Sequence, residues 1–100
     1  MTRSVRPVRG MYVVVPRDMT RAAGFYNTLL LSDEPAIVVE VLNGYRQKES
    51  LPDNLADFTV PVGIPEILRV GTDATIVTYG SCCQIALKSA EKLAAVGIEV

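Results

Sequence analysis

The stretches Met11-Tyr-Val-Val-Val-Pro16 and Ala36-Ile-Val-Val-Glu-Val41 decide the fold of this 100-residue chain. Both are short, apolar and rich in β-branched residues, a pattern typical of strands whose two faces are covered. Asp18 follows the first stretch as a helix cap, and residues 32–35 supply a helix end before the second. The pattern therefore predicts a strand-helix-strand unit, and the right-handed crossover of such units makes the two strands parallel.

The helix predicted between these strands carries apolar residues at spacings of three and four, which places them on one stripe. The stripe consists of Met19, Ala22, Ala23, Tyr26, Leu29 and Leu30. Gly24 lies inside the helix, where glycine costs about 1 kcal/mol relative to alanine. We therefore expect Gly24 to mark a position of close packing.

The stretch from Leu42 to Thr72 is rich in proline, glycine and acidic residues. A connection of about 30 residues without a regular element is too long for the inside of a compact domain. We expect a linker that crosses between domains, with a brief strand over Thr59–Val62, and that lies on a surface supplied by something other than itself.

A second unit is predicted after the linker. Residues 74–79 form a strand, and Gly80 makes the turn into a helix. Ser81 and Gln84 have the spacing of a capping box. The apolar stripe of this helix is Cys83, Ala86, Leu87, Ala90 and Ala94. Gly97 ends the helix, and residues 98–100 begin a strand that is cut short.

The expected fold class is α/β, with two partial parallel-sheet βαβ units joined by a long linker. We divide the chain into a basic N-terminal arm over residues 1–10, a first unit over 11–46, the linker over 47–73 and a second unit over 74–100. Units of this size bury too little surface to be stable alone. We therefore expect a fragment of a larger protein, and exposed strand edges predict a homo-oligomer.

Composition excludes several classes of function. The chain is 49% hydrophobic and 21% charged, with 10 Lys and Arg against 11 Asp and Glu. This balance argues against disorder and against nucleic-acid binding driven by charge, and the apolar runs are too short for a membrane span. The chain has no histidine, which excludes imidazole metal sites and histidine bases. Adjacent cysteines without a disulfide framework indicate a reducing compartment.

Three local motifs have a structural and a functional interpretation. Gly80-Ser81 lies at a strand-helix turn, but the second glycine of a nucleophile elbow is absent, so Ser81 is interpreted as a helix cap. Cys83 falls on the apolar stripe and is interpreted as core, whereas Cys82 has no assigned role. Glu40 is a carboxylate within a buried-type strand, which predicts either a site or domain-interface residue or an ion pair with Arg46.

An ordered set of segments resembles the beta subunit of thiamine-diphosphate-dependent 2-oxoacid dehydrogenases. The segments are Gly10–Pro16, Pro35–Glu40, Gly44–Arg46, Phe58–Gly63, Val70–Ser81 and Ala95–Val100. The nearest resemblance is to the branched-chain enzymes that act on 2-oxoisovalerate, followed by the pyruvate enzymes. It implies that residues 11–46 end a pyrimidine-binding domain and that residues 74–100 open a transketolase-type C-terminal domain.

The resemblance also implies a chemistry, namely oxidative decarboxylation of a branched-chain 2-oxoacid with acyl transfer to lipoamide. Thiamine diphosphate and Mg²⁺ would serve the full enzyme, whose partners would be an alpha subunit or alpha region and a lipoyl-bearing acyltransferase. We expect no nucleic-acid or membrane partner, and a location in the bacterial cytoplasm or, in a eukaryote, the mitochondrial matrix.

In this family the catalytic and cofactor-binding groups lie outside the segment represented here. No catalytic or cofactor-binding residue is therefore assigned, and the isolated chain is expected to be inactive. Some relatives bind K⁺ through main-chain carbonyls in the turn after the helix, which makes Leu29, Ser32 and Glu34 candidate metal ligands. The alternatives are a pyruvate dehydrogenase beta subunit, another thiamine-diphosphate enzyme of the transketolase family, or a non-enzymatic α/β interaction module.

Overall fold

A computed structural model describes residues 9–100, so most of the predicted N-terminal arm lies outside the described residues. Strand β1 spans Tyr12–Val14 and strand β2 spans Ala36–Val38. The two strands pair in parallel, with Tyr12 opposite Ala36 and Val14 opposite Val38. The α/β class and the parallel first unit are therefore confirmed.

Helix α1 spans Met19–Leu30 and connects the two strands. Asp18 has extended backbone angles, and its side chain accepts a hydrogen bond from the backbone N–H of Arg21 at 2.7 Å. The first helical turn has free N–H groups, and this carboxylate satisfies one of them. The predicted cap is confirmed.

Replacing Asp18 by alanine is expected to lower the free energy of unfolding by about 0.5–2 kcal/mol, because the N–H of Arg21 loses its acceptor. Ser81→Ala is the matched control, since Ser81 precedes the other helix but makes no capping hydrogen bond. Its expected effect stays within about 0.5 kcal/mol. Urea denaturation followed by circular dichroism measures both, and equal losses would contradict the capping role of Asp18.

The apolar stripe of α1 is only partly covered. Ala22 is buried, but Tyr26 is 42% exposed and Leu30 is 83% exposed. Gly24, on another face, is buried as well. The predicted stripe is therefore buried only in part, because the helix packs on the sheet with one face and on the linker with another.

The first half of the linker lies on α1. A 3-10 helix spans Leu42–Arg46. Further along, the Asn27 side chain donates to the backbone carbonyls of Leu55 at 2.8 Å and Phe58 at 2.7 Å. The Thr28 hydroxyl donates to the carbonyl of Val60 at 2.6 Å. The linker thus packs on a helix of its own chain, whereas we expected the surface to be supplied by something else. The strand predicted over Thr59–Val62 is not formed.

Helix α2 spans Cys82–Ala94 and is the regular element of the second unit. Its predicted stripe is confirmed at Cys83 and Ala90, which are buried. The Ser81 cap is wrong, because Ser81 has helical backbone angles and its hydroxyl makes no capping bond. The turn into α2 lies at Gly80, as predicted, with φ of +56°. The Gly80 carbonyl accepts the N–H of Cys83 at 3.2 Å.

The predicted end of α2 is confirmed. Gly97 has φ of +83°, a conformation that glycine adopts without strain. Its N–H donates to the carbonyl of Ala94, and the N–H of Ile98 donates to the carbonyl of Leu93, both at 3.0 Å. This pair of bonds is a Schellman motif, and it satisfies the last carbonyls of the helix.

The two strands predicted beside α2 are not formed. Residues 74–79 have no neighbouring strand in the described part of the chain, and a strand exists only where a ladder can form. Residues 98–100 approach the linker instead. The carbonyl of Glu99 accepts the N–H groups of Asp73 at 2.8 Å and Thr72 at 3.2 Å.

The core is sparse. Among the described residues no side chain is less than 2% exposed. The buried apolar residues are Val14, Ala22, Val60, Cys83, Ala90 and Val100. The radius of gyration is 15.4 Å, against about 13 Å for a typical domain of this length. Much apolar surface therefore stays in contact with water.

Candidate functional site

A cluster of charged residues surrounds the start of α1. Glu49, from the linker, accepts the backbone N–H of Met19 at 3.0 Å through one carboxylate oxygen. Its other oxygen accepts the N–H of Thr20 at 3.1 Å and the Thr20 hydroxyl at 2.9 Å. Asp18 and Glu49 together thus cover the N–H groups of the first turn, where the helix dipole favours negative charge.

These contacts change the acidity of Glu49. Burial raises the pKa of this carboxyl, but hydrogen bonds from Met19 and Thr20 and the charge of Arg17 outweigh burial, so its pKa is lowered. Hydrogen bonds to a carboxylate favour the ionised form, which is the physical reason for the direction.

The lowered pKa of Glu49 predicts a loss of stability in acid. A carboxyl whose pKa is lower in the folded chain stabilises the fold above its unfolded pKa, and this contribution disappears as the pH falls through the folded pKa. We therefore expect the urea concentration at the midpoint of unfolding to decrease when the pH is lowered below 4.5, the ordinary pKa of a glutamate carboxyl. The Glu49→Gln variant should lose stability at neutral pH and show a weaker acid dependence.

Glu91→Gln is the control for this titration, because Glu91 is an exposed residue of α2. Its midpoint should follow the wild-type curve at every pH. A Glu49→Gln variant whose acid dependence equals that of the wild type would contradict the assigned role of Glu49.

Two arginines beside this carboxylate hold the second half of the linker. Arg17, just before the helix cap, donates to both oxygens of Glu66 at 3.3 Å, and Arg21, in the first turn of α1, donates to the same carboxylate. Arg17 also pairs with Asp18, and the guanidinium of Arg21 lies 5.9 Å from the ring centre of Phe58. These pairs are partly exposed, so each contributes at most about 1 kcal/mol.

The charge of this network affects Arg17. Burial lowers the pKa of Arg17, but the hydrogen bond to Glu66 and the charges of Asp18 and Glu66 outweigh it, so the pKa is raised. Arg17 therefore stays a permanent cation within the cluster.

An open cavity of about 430 Å³ lies in the middle of this cluster. Linker residues 47–50 and Phe58 form one side of the cavity, and Gln84 of α2 reaches it from the second unit. Three cationic side chains line it: Arg17 and Arg21 are paired with acids of this chain, whereas Lys48 makes no ion pair among the described contacts. The arrangement therefore joins three segments of the chain.

Glu40 lies outside this cluster, after β2. Its carboxylate accepts the Tyr26 hydroxyl at 2.6 Å and also the Tyr45 hydroxyl. The hydrogen bond from Tyr26, and next that from Tyr45, lower the pKa of Glu40. Of the two alternatives that the sequence left open for Glu40, the ion pair with Arg46 is not among the described contacts, and two phenols occupy the carboxylate instead.

The turn after α1 contains the candidate potassium ligands. The carbonyl of Leu29 accepts the backbone N–H groups of Leu31 and, at 3.1 Å, Ser32. The Ser32 hydroxyl accepts the N–H of Glu34 at 3.0 Å. These hydrogen bonds hold the three candidates within one tight turn, and the Leu29 carbonyl is engaged by the turn itself.

The two cysteines differ in their surroundings. Cys83 is buried, as predicted, whereas Cys82 is exposed. Burial raises the pKa of the Cys83 thiol, and this outweighs the opposing charge of Arg17. A thiol with a raised pKa is a poor nucleophile, which agrees with a core role for Cys83.

The described part of the chain contains neither a cluster of metal-binding side chains nor a helix that could span a membrane. No three Asp, Glu or Cys side chains of residues 9–100 lie together as a metal site would require. Neither helix in the described part of the chain has the length and apolarity to cross a bilayer.

Sequence reasoning did not identify Glu49 and Glu66. Their partners lie between 29 and 49 residues away along the chain. No local spacing indicates such contacts, and an acid in a linker is an ordinary solvated residue until the fold brings a helix start beside it.

Comparison with known proteins gives one family match, to the transketolase C-terminal domain, over residues 63–100. No solved structure matches the chain. The match covers α2 and the segments that flank it, including the contact of Glu99 with residues 72–73.

Curated proteins match over most of the chain. The 2-oxoisovalerate dehydrogenase subunit beta of Bacillus subtilis is 32% identical over 90 residues, which cover 89% of this chain and 27% of the relative. The mitochondrial subunit of the same name from Chaetomium thermophilum is 34% identical over 97 residues, which cover 93% of this chain and 20% of the relative. The pyruvate dehydrogenase E1 component subunit beta of Rhizobium meliloti is 36% identical over 93 residues, which again cover 93% of this chain and 20% of the relative. The chain thus spans between a fifth and about a quarter of these relatives.

Proposed function

We propose that the chain is part of the beta subunit of a 2-oxoacid dehydrogenase, the component that decarboxylates the 2-oxoacid. One observation carries the proposal. Relatives named as such beta subunits align with about nine tenths of this chain at 32–36% identity, through both units and the linker. The family match over residues 63–100 supports the same placement independently.

Within such a subunit, residues 11–46 would end the pyrimidine-binding domain and residues 74–100 would open the C-terminal domain, with residues 47–73 between them. The parallel pair of β1 and β2 with its crossover helix supports the first assignment. The family match begins at residue 63, inside the proposed linker. The linker segment on α1 supports its role as a fixed connection.

Thiamine diphosphate, when bound in the complete enzyme with Mg²⁺, supplies the electron sink for decarboxylation. The described residues do not fit either group, because Lys48 alone would face a diphosphate while both arginines of the cavity are paired with acids, and three metal-binding side chains do not meet. We therefore propose that this segment has a structural role, in which it holds the strand ends, the start of α1 and the linker in place. No residue of the chain is proposed as catalytic.

The proposed substrate is a branched-chain 2-oxoacid such as 2-oxoisovalerate, with pyruvate as the second candidate. Relatives of both names match with similar identity, and the pyruvate relative has the higher value of 36%. The complete enzyme, assembled with its alpha subunit and the lipoyl-bearing acyltransferase, tests the proposal. We expect ketoacid-dependent acyl transfer to lipoamide, with a higher kcat/KM for 2-oxoisovalerate than for pyruvate.

Three other outcomes of this assay have a definite meaning. A higher kcat/KM for pyruvate would replace the first substrate by the second. Ketol transfer without any acyl transfer would move the chain to another thiamine-diphosphate enzyme. A stable chain that joins no alpha subunit and supports neither reaction would favour the non-enzymatic module. Fractionation of the source cells tests the proposed bacterial cytoplasm or mitochondrial matrix.

The isolated chain provides a second test of the placement. Isothermal titration with thiamine diphosphate and Mg²⁺ should show no saturable heat, because the groups that hold them are proposed to lie elsewhere. Saturable binding by these 100 residues would overturn this part of the proposal.

The potassium site at Leu29, Ser32 and Glu34 is a further proposal. A cation bound through these carbonyls would have to compete with the N–H groups that the Leu29 carbonyl now accepts. Thermal unfolding in KCl and in tetramethylammonium chloride at equal ionic strength tests it. A higher midpoint in KCl supports the site, and identical midpoints contradict it.

A further inference from the structure

Asn43 and Gly44 lie together in the 3-10 helix Leu42–Arg46. The chain has three asparagines, and of these only Asn43 is followed by glycine. Glycine has no Cβ atom, so nothing crowds the backbone nitrogen that follows the asparagine. The side chain of Asn43 is exposed to solvent. An exposed side-chain amide beside an uncrowded backbone nitrogen is the arrangement in which an asparagine reacts with its own main chain.

This reaction needs water as its only co-reactant. The Gly44 backbone nitrogen loses its proton to hydroxide and attacks Cγ of Asn43. The bond between Cγ and the side-chain nitrogen then breaks, and this nitrogen takes a proton from water and leaves as ammonia. Water opens the remaining cyclic imide at either of its carbonyls, which gives aspartate or isoaspartate. In sum, a water molecule is consumed and ammonia is released, and nothing is oxidised or reduced.

The 3-10 helix opposes this reaction in the folded chain. The N–H of Gly44 donates to the carbonyl of Val41 at 2.9 Å, and the carbonyl of Gly44 accepts the N–H of Gln47 at 3.0 Å. In a helix the backbone N–H points along the axis, whereas the side chains project outward. Gly44 therefore has to give up its hydrogen bond and turn its nitrogen toward the Asn43 side chain before the ring can close.

Two contacts hold the 3-10 helix in place. The Tyr45 hydroxyl donates to the carboxylate of Glu40, which also accepts the hydroxyl of Tyr26 on α1 at 2.6 Å. Gly44 lies against α1 as well, since a Cβ atom at this position would be 3.2 Å from Cε of Met19. Both contacts favour the closed helix, so any opening that frees the Gly44 nitrogen has to compete with them.

We propose that Asn43 is a site of spontaneous deamidation and that opening of the 3-10 helix controls the rate. Isoaspartate carries the main chain through its side chain, which adds a backbone atom between residues 43 and 44. The hydrogen bond from Gly44 to Val41 spans this point and loses its register. The modification therefore loosens the first half of the linker and adds a negative charge to it. This inference does not rest on the proposed function.

Peptide mapping by mass spectrometry, after incubation at mildly alkaline pH and body temperature, tests the site. The peptide that contains Asn43 should gain the mass of an amide that becomes an acid, and its aspartate and isoaspartate forms should separate in chromatography. Asn54 is the matched control within the chain, because it is exposed too but precedes Leu55. Asn54 should stay intact over the period in which Asn43 reacts.

The rate in concentrated urea measures the reaction without the helix. We expect Asn43 to react at least about threefold more slowly in the folded chain, because only the opened fraction reacts. Tyr45→Phe removes the hydrogen bond to Glu40 and should bring the rate toward the urea value. Tyr79→Phe is its control, since Tyr79 is 64% exposed and makes no hydrogen bond among the described contacts. Its rate should equal that of the wild type.

Several results would overturn the proposal. Modification of Asn54 before Asn43, or an Asn43 that never reacts in the folded chain, contradicts the site. Equal rates in the folded chain and in urea contradict the role of the 3-10 helix, and so does a Tyr45→Phe rate equal to that of Tyr79→Phe. The comparison with urea uses the wild-type chain, so it decides the question even if Tyr45→Phe does not fold.

Discussion

Replacing Gly24 by alanine is expected to destabilise the chain by about 1–3 kcal/mol, although alanine is the better helix former. A Cβ atom at this position would lie 2.5 Å from Cγ2 of Val60 and 2.8 Å from Cε1 of Phe58. These side chains belong to the linker segment that the backbone of α1 binds, since the Val60 N–H donates to the Gly24 carbonyl at 3.2 Å. The new methyl group therefore pushes the linker away from the helix.

A double-mutant cycle with Val60→Ala isolates this contact. Removing the Val60 methyl groups makes room for the alanine, so the two substitutions together should cost clearly less than the sum of their separate effects. Urea denaturation of the four chains gives the coupling free energy. If Gly24→Ala raises stability, or if the two effects simply add, the close packing of the linker on α1 is wrong.

Replacing Gly71 by alanine should release the end of the chain from the linker. A Cβ atom on Gly71 would lie 2.5 Å from the backbone N and 2.6 Å from Cα of Val100, distances that backbone atoms cannot accommodate without moving. The Glu99 carbonyl would then lose the N–H groups of Thr72 and Asp73. We expect a cost of about 1–3 kcal/mol.

Val70→Ala is the neighbouring control, because Val70 is 82% exposed and its truncation leaves the contact intact. Its expected effect is within about 0.5 kcal/mol. Hydrogen exchange should show faster exchange at the amides of residues 72–73 in Gly71→Ala alone. Unchanged protection at these amides would show that residues 98–100 do not depend on a glycine at position 71.

Local sequence predicted the elements that local interactions determine. The cap of Asp18, the turn at Gly80 and the end of α2 at Gly97 each depend on neighbours within a few residues, and the structure confirms all three. The parallel arrangement of β1 and β2 was predictable as well, since the chirality of the crossover leaves little choice.

Features that depend on distant partners were not predictable. Residues 74–79 have the composition of a strand, but a strand also needs a neighbour, and the described chain supplies none. The acid of Glu40 was recognised as unusual, yet its partners Tyr26 and Tyr45 follow from how the helix and the 3-10 helix lie in space. Ser81 failed as a cap because capping depends on backbone angles that residue type alone does not determine.

The side chain of Asn27 binds the linker through carbonyl oxygens, those of Leu55 and Phe58. Every amino acid carries this oxygen, so the bond is indifferent to which residue stands in the linker, whereas the donor needs an amide at position 27. Mutational tolerance should therefore be one-sided: a saturation library would accept many residues at position 55 and few at position 27.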